Sequence, residues 1–507
     1  MSLFCFSEKL SKYYSNFLPT QIAFCFFLGC ISVLSFSPFN FKILIIFSLS
    51  IFFHSIWKSQ NIKEAGLKGY FFGLGFMSIG VSWIYISIEK FGGVSPFLAI
   101  IFTILFIFFI SAYFFIFGAL TKYLSQESSK IKVMVFIVPS VWFLIEIMRA
   151  TFFTGFPWLS IGYSQIDGPF SNFAPVVGIY GVGFILALIS ALLTLWKKIW
   201  PILAIFSIWS AGYGFSLINW TEPIDDEMKV TIIQGNIAQS EKWKPQLFSK
   251  NLQLYLNLTR QHLDSDIIVW PETAIAAFSD QIEKNILKPI QKMASKESFD
   301  LLTGIVTREK NGNYYNSVIN LGVSGRQVYS KKHLVPFGEY LPLKFFSKKI
   351  FSFLDIPMSD FSSGDNRNNI FLNNYPVGIN ICYEDTFPAV VKESLPNATY
   401  LINVSNDAWF GNSLAPHQHL EIARMRALEF GRFFIRSTNN GISAIIDNKG
   451  KIVKISPQFQ KSVLSYNIKL YKGSTPFNDF HNNPLLVITS ITLLMALLKI
   501  GIFAVKN

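Results

Sequence analysis

Long apolar runs dominate the first 220 residues of the chain and return once at its end. Most of these runs are long enough to cross the roughly 30 Å of hydrocarbon in a bilayer. A soluble helical core does not contain so many consecutive long apolar runs. The pattern therefore predicts a polytopic helical membrane bundle with about eight spans. The predicted spans are Gln21–Phe36, Phe41–Trp57, Gly69–Ile88, Pro96–Leu120, Lys132–Met148, Val176–Trp196, Pro201–Ile218 and Leu485–Val505.

Between Thr221 and Pro484 the pattern changes to short β-branched runs separated by helical patterns. Strands that alternate with helices predict a layered α/β domain. The predicted domains are a bundle of seven helices at 1–220, a soluble domain at 221–484, and an eighth helix with a tail at 485–507. The predicted strands are Lys229–Ile237, Asp266–Pro271, Leu301–Val306, Tyr315–Leu321, Val377–Cys382, Thr399–Ser405 and Ile442–Asp447. The predicted helices are Gln246–Leu263, Gln281–Ser295 and Leu420–Phe433.

Composition agrees with this division of the chain. Of the 507 residues, 51% are hydrophobic and 53 are Phe, values typical of an integral membrane protein. The net charge is +13, but residues 221–484 carry 29 basic and 25 acidic side chains, so most of the excess lies outside the soluble block. A nucleic-acid-binding protein would place a basic stripe on its soluble surface. The charge distribution therefore argues against nucleic acid as a partner.

The short loops between the apolar runs predict the orientation of the chain in the membrane. Cytoplasmic loops are enriched in Lys and Arg. One set of alternate connections is basic, and the opposite set holds only Lys42, Lys90 and Arg149. With seven spans before it, the soluble block is then expected on the periplasmic side of the cytoplasmic (inner) membrane. The basic set is Lys9, Lys12, Lys58, Lys63, Lys68, Lys122, Lys130, Lys132, Lys197, Lys198 and Lys506.

Three strand ends in the soluble block carry candidate chemistry. Cys382 ends the apolar run of GINICYED, Glu272 follows IIVWP, and Lys331 and Lys332 lie in VYSKKHL. Open α/β sheets place their chemistry at the carboxyl ends of strands. Taken singly, each residue also has a structural interpretation: a buried apolar thiol, a carboxylate in a first helical turn, or lysines on a solvated edge strand. Alternation along the strand does not choose between the two lysines.

Supporting residues and cysteines narrow the chemistry further. Glu339 comes eight residues after Lys331 and is a candidate partner for an ammonium. Three of the four cysteines, Cys5, Cys25 and Cys30, lie at or in the first apolar segment, so no disulfide with Cys382 is expected. The histidines His333, His417 and His419 lack metal-site spacing and are interpreted as structural. No metal is predicted.

One loop between predicted spans is unusually rich in aromatic residues and Gly. It runs from Glu146 to Phe170, and Glu146 and Arg149 are spaced to pair on one helix face. An interfacial aromatic anchor explains such a loop. The functional alternative is a lid that contacts lipid, with Arg149, Phe156 and Trp158 forming a laterally open passage for substrates.

Taken together, these strings resemble a known family. A Glu, a Lys within Y-x-K-x-H-L and a Cys after an apolar strand, in that order, resemble the carbon–nitrogen hydrolase (nitrilase) superfamily. The membrane flanks are similar to its bacterial apolipoprotein N-acyltransferase family. The resemblance implies a nitrilase-like α-β-β-α sandwich, with Glu272 as base, Lys331 as oxyanion donor, Cys382 as nucleophile and Glu339 as support, and it places Trp243, Tyr383 and Glu384 near the site. The matching strings are Thr154–Tyr163, Gln234–Trp243, WPET, Lys331–Pro342, ICYED, Ser405–Gly411, Ala423–Glu429 and Arg436–Ser443.

The resemblance also implies an activity. A phospholipid would give a fatty acyl chain to Cys382, and the thioester would pass it to the N-terminal amino group of a diacylglyceryl-cysteine in an apolipoprotein. No cofactor is implied, and the partners are the phospholipid, the lipoprotein and the bilayer. Two alternatives stay open: a membrane-tethered amidase or nitrilase acting on a small amide, and a non-catalytic membrane scaffold or transporter. Few ionisable residues lie in the spans, which disfavours a transporter.

Overall fold

The computed structural model describes residues 17–309, 312–340, 360–365 and 369–506, with no side chains described after residue 502. Outside this range lie Lys9, Lys12, Cys5, the Lys506 side chain and the end of the Lys331–Pro342 string. The chain divides into two compact units. The first holds the described residues up to Tyr85, Phe97–Ile218 and the residues from Asn482 onward. The second holds Ile86–Pro96 and Asn219–His481.

Apolar helices make up the first unit. The main helices are Leu18–Val33, Ile43–Lys58, Ile62–Gly80, Pro96–Leu124, Val138–Thr151, Ala174–Leu193, Ile199–Ser216 and Asn483–Lys506. Shorter helical segments are Lys130–Lys132, Val133–Ile137, Phe152–Thr154, Ile161–Gln165 and Pro169–Phe173. One further short helix, Ile84–Phe91, begins in the first unit, but most of its residues belong to the second. Each predicted apolar run therefore contains a helix.

Among the described residues, fewer helices than the eight predicted spans meet a strict criterion of length and hydropathy. Within the described residues, five helices are long and apolar enough to cross a membrane, or six if Ile62–Gly80 and Ile84–Phe91 form one bent span. Leu18–Val33 and Ile43–Lys58 are apolar but have only 16 residues each. The apolar helices make this a membrane protein, and the count of about eight spans stays a prediction.

Two mixed sheets form the centre of the second unit. The strands are β1 Glu222–Gln234, β2 Ile267–Val269, β3 Ile275–Phe278, β4 Asp300–Arg308, β5 Tyr314–Gly322, β6 Val328–Ser330, β7 Ile370–Leu372, β8 Tyr375–Ile381, β9 Tyr400–Ser405, β10 Phe434–Thr438, β11 Ala444–Ile446, β12 Ile452–Ile455 and β13 Ser462–Lys472. The first sheet has the order β13-β1-β2-β4-β5-β6, with β3 paired to β4, and the second has the order β12-β11-β10-β9-β8-β7. The pairs β1–β2, β2–β4, β3–β4, β8–β9 and β9–β10 are parallel.

Three apolar clusters show how these sheets are layered. One cluster joins the facing sides of the sheets, with Ile232 and Val269 from the first and Ile379 and Val404 from the second. The other two clusters join each sheet to helices on its outer side. The predicted α-β-β-α sandwich is therefore present. Its helical segments are Gln239–Lys242, Pro245–Thr259, Ser279–Ile282, Glu283–Leu287, Lys288–Lys296, Cys382–Thr386, Pro388–Lys392, Asp407–Phe410, Ala415–Phe430 and Pro476–Phe480.

All seven predicted strands correspond to observed strands, and the three predicted helices are also present. The end of the third helix was wrong: Ala415–Phe430 stops at Gly431, whose φ of +61° is readily adopted by glycine. The residues that follow form β10. The strands β3, β7, β10, β12 and β13 were not predicted.

The segment Ile86–Pro96 belongs to the second unit although it lies between apolar helices in the sequence. The Ser87 hydroxyl donates to the Trp409 carbonyl at 2.8 Å, and the Phe91 ring stacks edge-on against Trp409 at 4.7 Å. The predicted boundaries at 220 and 484 placed this segment in the bundle. The soluble domain is therefore built from two separate stretches of chain.

Candidate active site

Cys382 lies on a tight turn at the carboxyl end of β8. Its φ is +52°, in the left-handed region that residues other than Gly rarely adopt. A short 3₁₀ helix, Cys382–Thr386, begins at the cysteine. The Asn403 amide donates to the Cys382 carbonyl at 3.0 Å and holds the turn against the neighbouring strand β9. Strain of this kind persists where the surrounding structure enforces it, which is typical of catalytic turns.

The carboxylate of Glu384 ties this turn to the end of β6. It accepts hydrogen bonds from the backbone N–H groups of Ile381 at 2.7 Å, Lys332 at 2.7 Å and His333 at 3.1 Å. The Tyr329 hydroxyl donates to the same carboxylate at 3.0 Å. Burial raises the pKa of Glu384 to about 7, although Lys331 and the backbone donors favour the carboxylate. Glu384 therefore links the two sheets through its hydrogen bonds, which indicates a structural role rather than a reacting one.

Glu272 lies in the turn after β2 and is buried. Its Oε1 accepts a hydrogen bond of 2.7 Å from the Asn316 side chain, while its Oε2 has no hydrogen-bond partner. The same Asn316 amide donates to Glu339 Oε1 at 2.9 Å. One amide therefore bridges two carboxylates, and the free Oε2 of Glu272 is available to accept a proton.

Lys331 follows β6 directly and is 1% exposed. Its Nζ lies 2.9 Å from Oε1 and 2.8 Å from Oε2 of Glu339. Burial alone would lower the pKa of Lys331, but Glu339 and Glu272 outweigh it and hold the pKa above its usual value. Lys332 instead pairs with Glu393 near the surface. The structure thus separates the two lysines that the sequence left open, because β6 ends at Ser330 and alternation stops there.

The Cys382 thiol is close enough to these groups to be influenced by their charges. Burial and the Glu272 carboxylate raise the pKa of Cys382 above its usual range, while Lys331 acts in the opposite direction. A buried thiol of this kind is neutral at physiological pH. It therefore needs a base to become a nucleophile, and Glu272 is the carboxylate that acts on it most strongly.

Behind the turn lies a buried network of four ionisable side chains. His419 Nε2 is 2.9 Å from Asp385 and its Nδ1 is 3.2 Å from Asp407. Arg436 bonds to both carboxylates, at 3.3 Å to Asp385 and 2.9 Å to Asp407. Burial and Arg436 would lower the pKa of His419, but the two aspartates outweigh them and raise it. With His419 protonated, two cations balance two anions next to the turn that begins at Cys382.

Sequence reasoning missed several of these residues. Asn316, Asp407 and Arg436 were not assigned roles, and His419 was interpreted only as structural. A further one is Lys242, a buried lysine whose Nζ donates to the Glu272 carbonyl at 2.8 Å. Asn316 interrupts an apolar strand run, which is a usable signal. Lys242, Asp407 and Arg436 lie within the strings that carried the family resemblance, whereas His419 lies between two of them, and spacing alone does not show the contacts of these residues.

The remaining predicted residues take different positions. Trp243 follows Lys242 and is 37% exposed. The half-buried Tyr383 packs edge-on against Phe387 at 5.1 Å. These positions do not assign a chemical step to Trp243 or to Tyr383.

In the first unit, the aromatic loop is organised by its two charged residues. Arg149 donates to the carbonyls of Phe156 and Trp158, and Glu146 accepts from the Ile161 N–H at 2.8 Å. Trp158 is fully buried against Trp83. Trp158 therefore packs in the interior of the first unit, whereas a side chain that lines an open passage would be exposed. The passage formed by Arg149, Phe156 and Trp158 stays a prediction.

The described residues contain no group of three or more His, Cys, Asp or Glu side chains that is arranged to hold a metal ion. A cavity of about 500 Å³ lies beside Phe433, Tyr466 and Tyr471. Phe433 precedes β10, whereas Cys382 follows the parallel strand β8. The cavity is therefore at the opposite end of the sheet from Cys382.

The sandwich and the Glu–Lys–Cys arrangement place the second unit in the carbon–nitrogen hydrolase class, and the model of the family "Carbon-nitrogen hydrolase" matches residues 229–473. A second family model, "Apolipoprotein N-acyltransferase N-terminal domain", matches residues 28–192. The apolipoprotein N-acyltransferase of Methylococcus capsulatus is 39% identical over 461 residues, covering 89% of this chain and 90% of that protein. The one from Nitrosomonas europaea is 38% identical, covering 92% of this chain and 95% of that protein. The chain therefore belongs to the apolipoprotein N-acyltransferase family.

Among solved structures, the carbon–nitrogen hydrolase of Helicobacter pylori G27 is 15% identical to this chain. It has a TM-score of 0.38 and covers 48% of this chain and 89% of that chain.

Proposed function

We propose that this protein is an acyltransferase that moves a fatty acyl chain from a phospholipid to the N-terminal amino group of a diacylglyceryl-cysteine in apolipoproteins. Membership of the family supports the overall activity. The chemistry is supported by the influence of the Glu272 and Lys331 charges on Cys382 and by the hydrogen bonds through which Asn316 and Glu339 join these two residues. The phospholipid donor and the role of each residue belong to the proposal.

In the first half-reaction, Glu272 takes the Cys382 thiol proton as the sulfur attacks the ester carbonyl of the phospholipid. The carbonyl oxygen becomes an oxyanion, which the Lys331 ammonium stabilises. A backbone N–H near Tyr383 is a second candidate donor. The intermediate then breaks its C–O bond, and Glu272 returns the proton to the departing alkoxide. The products are a thioester on Cys382 and a lysophospholipid.

In the second half-reaction, the neutral amino group of the acceptor attacks the thioester carbonyl. Glu272 accepts the amine proton, the C–S bond breaks to release the amide product, and Glu272 gives the proton to the departing sulfur, which restores the thiol of Cys382. The conversion of a thioester to an amide is favourable, so these steps need no energy source. Exclusion of water protects the thioester from hydrolysis in the interval between the two substrates.

A location in the membrane suits two substrates that are both lipids or carry lipid. Both the donor and the acceptor carry acyl chains that partition into lipid. Positive residues in alternate loops support a cytoplasmic (inner) membrane location with the catalytic domain on the periplasmic face. With native cysteines replaced by Ala, a cysteine introduced at the exposed Gln460 should react with an impermeant thiol reagent added from the periplasmic side. One introduced at Gln60 should not, and the opposite labelling would overturn the orientation.

The other two hypotheses from the sequence are weaker. The curated relatives named above are acyltransferases, which disfavours a membrane-tethered amidase and a non-catalytic scaffold. A tether also needs only one span, whereas this chain has at least five helices suited to crossing a membrane.

One experiment separates the three hypotheses. Purified protein is mixed with a phospholipid of defined acyl chains, and its intact mass is measured before and after neutral hydroxylamine. The proposal predicts one added acyl group that hydroxylamine removes and that a diacylglyceryl-cysteinyl peptide collects on its amino group. Cys382→Ala should show no adduct. A wild-type protein with no adduct would favour the amidase or the scaffold.

A further inference from the structure

Lys242 is a second buried lysine beside the candidate base. It ends the short helix Gln239–Lys242, and 5% of its surface is exposed. Its Nζ donates a 2.8 Å hydrogen bond to the main-chain carbonyl of Glu272, 30 residues further along the chain. Burying an ammonium is costly unless it gains compensating contacts. The burial of the Lys242 ammonium beside Glu272 therefore needs a physical explanation.

The contact holds the backbone on which Glu272 is mounted. Thr273, the next residue, has a φ of +49°, so the turn adopts a strained conformation. On the other side, the Gly304 N–H of β4 donates to the Pro271 carbonyl at 3.2 Å. Lys242 and β4 therefore fix consecutive carbonyls of the same turn. Loss of either would let the carboxylate move relative to the thiol.

The charge of Lys242 also acts on the site. Burial lowers the pKa of Lys242 to about 8, although Glu272 and Cys382 oppose the change. Lys331 is already paired with both oxygens of Glu339. Within the described residues, Lys242 forms no direct salt bridge, so its positive charge is left to act on Glu272 and Cys382.

We propose that Lys242 is a positioning residue for the acyl-transfer reaction. It holds the Glu272 turn in place and supplies a positive charge to the base and the thiol, a task separate from that of Lys331. This inference rests on the proposed roles of Glu272 and Cys382. It adds a residue that acts through the base without touching substrate.

The test compares three substitutions with a matched control. Lys242→Met removes the charge and the donor, Lys242→Gln keeps a donor, and Lys242→Arg keeps both. Lys244→Met is the control, since Lys244 is an exposed lysine two residues away. The rate of Cys382 acylation by a defined phospholipid is measured by intact mass from pH 5 to pH 9. All variants are first checked by thermal unfolding in detergent.

Lys242→Met should slow acylation about tenfold or more and move the acidic limb of its pH profile by about one unit to higher pH. Lys242→Gln should recover part of the rate without restoring the profile, and Lys242→Arg should recover most of both. Lys244→Met should match the wild type. An unshifted profile in a folded Lys242→Met protein would overturn the proposal and leave Lys242 a packing residue.

A second measurement does not depend on the acyl donor. Alkylation of Cys382 by iodoacetamide reports the fraction of thiolate at each pH. Without the positive charge of Lys242, the alkylation profile should move to higher pH. Equal profiles in the wild type and Lys242→Met would overturn the inference even if phospholipid proved to be the wrong donor. A wild type that acylates poorly but shows this shift would instead count only against the proposed function.

Discussion

Asn316 bonds to Glu272 through the same side-chain amide that it offers to Glu339, at 2.7 Å and 2.9 Å. Its backbone carbonyl also accepts the Lys331 N–H at 2.8 Å. One strand residue thus sets the spacing of the candidate base, the supporting carboxylate and the cation. Without it, the buried carboxylate of Glu272 and the partly buried carboxylate of Glu339 would repel each other with no donor between them.

Asn316→Ala should lower the rate of Cys382 acylation about ten- to a hundredfold, since hydrogen bonds to charged groups contribute about 1.5–3 kcal/mol. Asn316→Asp should be worse, because it adds a third carboxylate. Single-turnover acylation followed by intact mass checks both variants. Asn257→Ala, at an exposed position, is the control. Equal rates for Asn316→Asp and the wild type would show that the amide does not organise the site.

Lys331→Ala should cost about 10²–10³ in acylation rate, the usual loss for one oxyanion donor. Lys332→Ala should change the rate little, because its ammonium pairs with Glu393 near the surface. The same acylation assay compares the two variants. A larger loss at Lys332 would mean that the cation of the site has been assigned to the wrong lysine.

Gly304→Ala should impair the base without removing any reacting group. A Cβ at Gly304 would overlap the backbone nitrogen of Thr273 and lie 2.6 Å from the Glu272 Cα. These are backbone atoms of a strained turn, so relief requires Glu272 to move. Acylation should fall at least tenfold while iodoacetamide still modifies Cys382. Gly214→Ala, with no atom within 4 Å of the added methyl, should be neutral.

The buried network around His419 should make stability depend on pH. The two aspartates raise the folded pKa of His419 above its ordinary value of 6.5. The pairing with Asp385 and Asp407 therefore stabilises the fold fully below about pH 6.5, and this contribution is lost as pH rises through the folded pKa. The difference in unfolding temperature between the wild type and His419→Gln should be largest near pH 6 and shrink towards pH 9. His262→Gln serves as the control, and a difference independent of pH would exclude a protonated His419.

The burial of Trp158 changes what its substitution is expected to do. Trp158→Ala should destabilise the first unit by about 3–5 kcal/mol, the usual cost of truncating a buried aromatic side chain. Phe153, 79% exposed in the same loop, should tolerate Ala with little loss of stability. Thermal unfolding in detergent measures both. Slower acylation by phospholipid in Phe153→Ala, with an unchanged rate for a water-soluble thioester, would point to lipid contact by this loop.

Local sequence signals predicted seven of the strands and the positions of three candidate residues at strand ends, because both depend on neighbours in the chain. Cys382, Glu272 and Lys331 each follow an apolar run that ends at a turn. The long β13 was missed because its side chains alternate only loosely between buried and exposed. Its stability comes from pairing with β1 some 230–250 residues earlier, which no local pattern reveals.

The supporting residues were harder to predict for a related reason. Lys242, Asn316 and His419 acquire their roles from contacts across 30, 44 and 34 residues of sequence. A lysine next to a tryptophan, an amide in a strand and a histidine in a helix are each ordinary. Only the folded structure shows that Lys242 and Asn316 bond to Glu272 and that His419 bonds to the turn that begins at Cys382.

The contacts of Ser87 and Phe91 with Trp409 have a consequence for how this protein can be made. A fragment that starts at Asn219 lacks a piece of its own domain, and it would expose Trp409 beside the loop that holds Asp407. During synthesis, Ile86–Pro96 leaves the ribosome more than a hundred residues before the rest of its domain. The catalytic domain therefore completes its folding only on a segment already delivered by the membrane-inserted part of the chain.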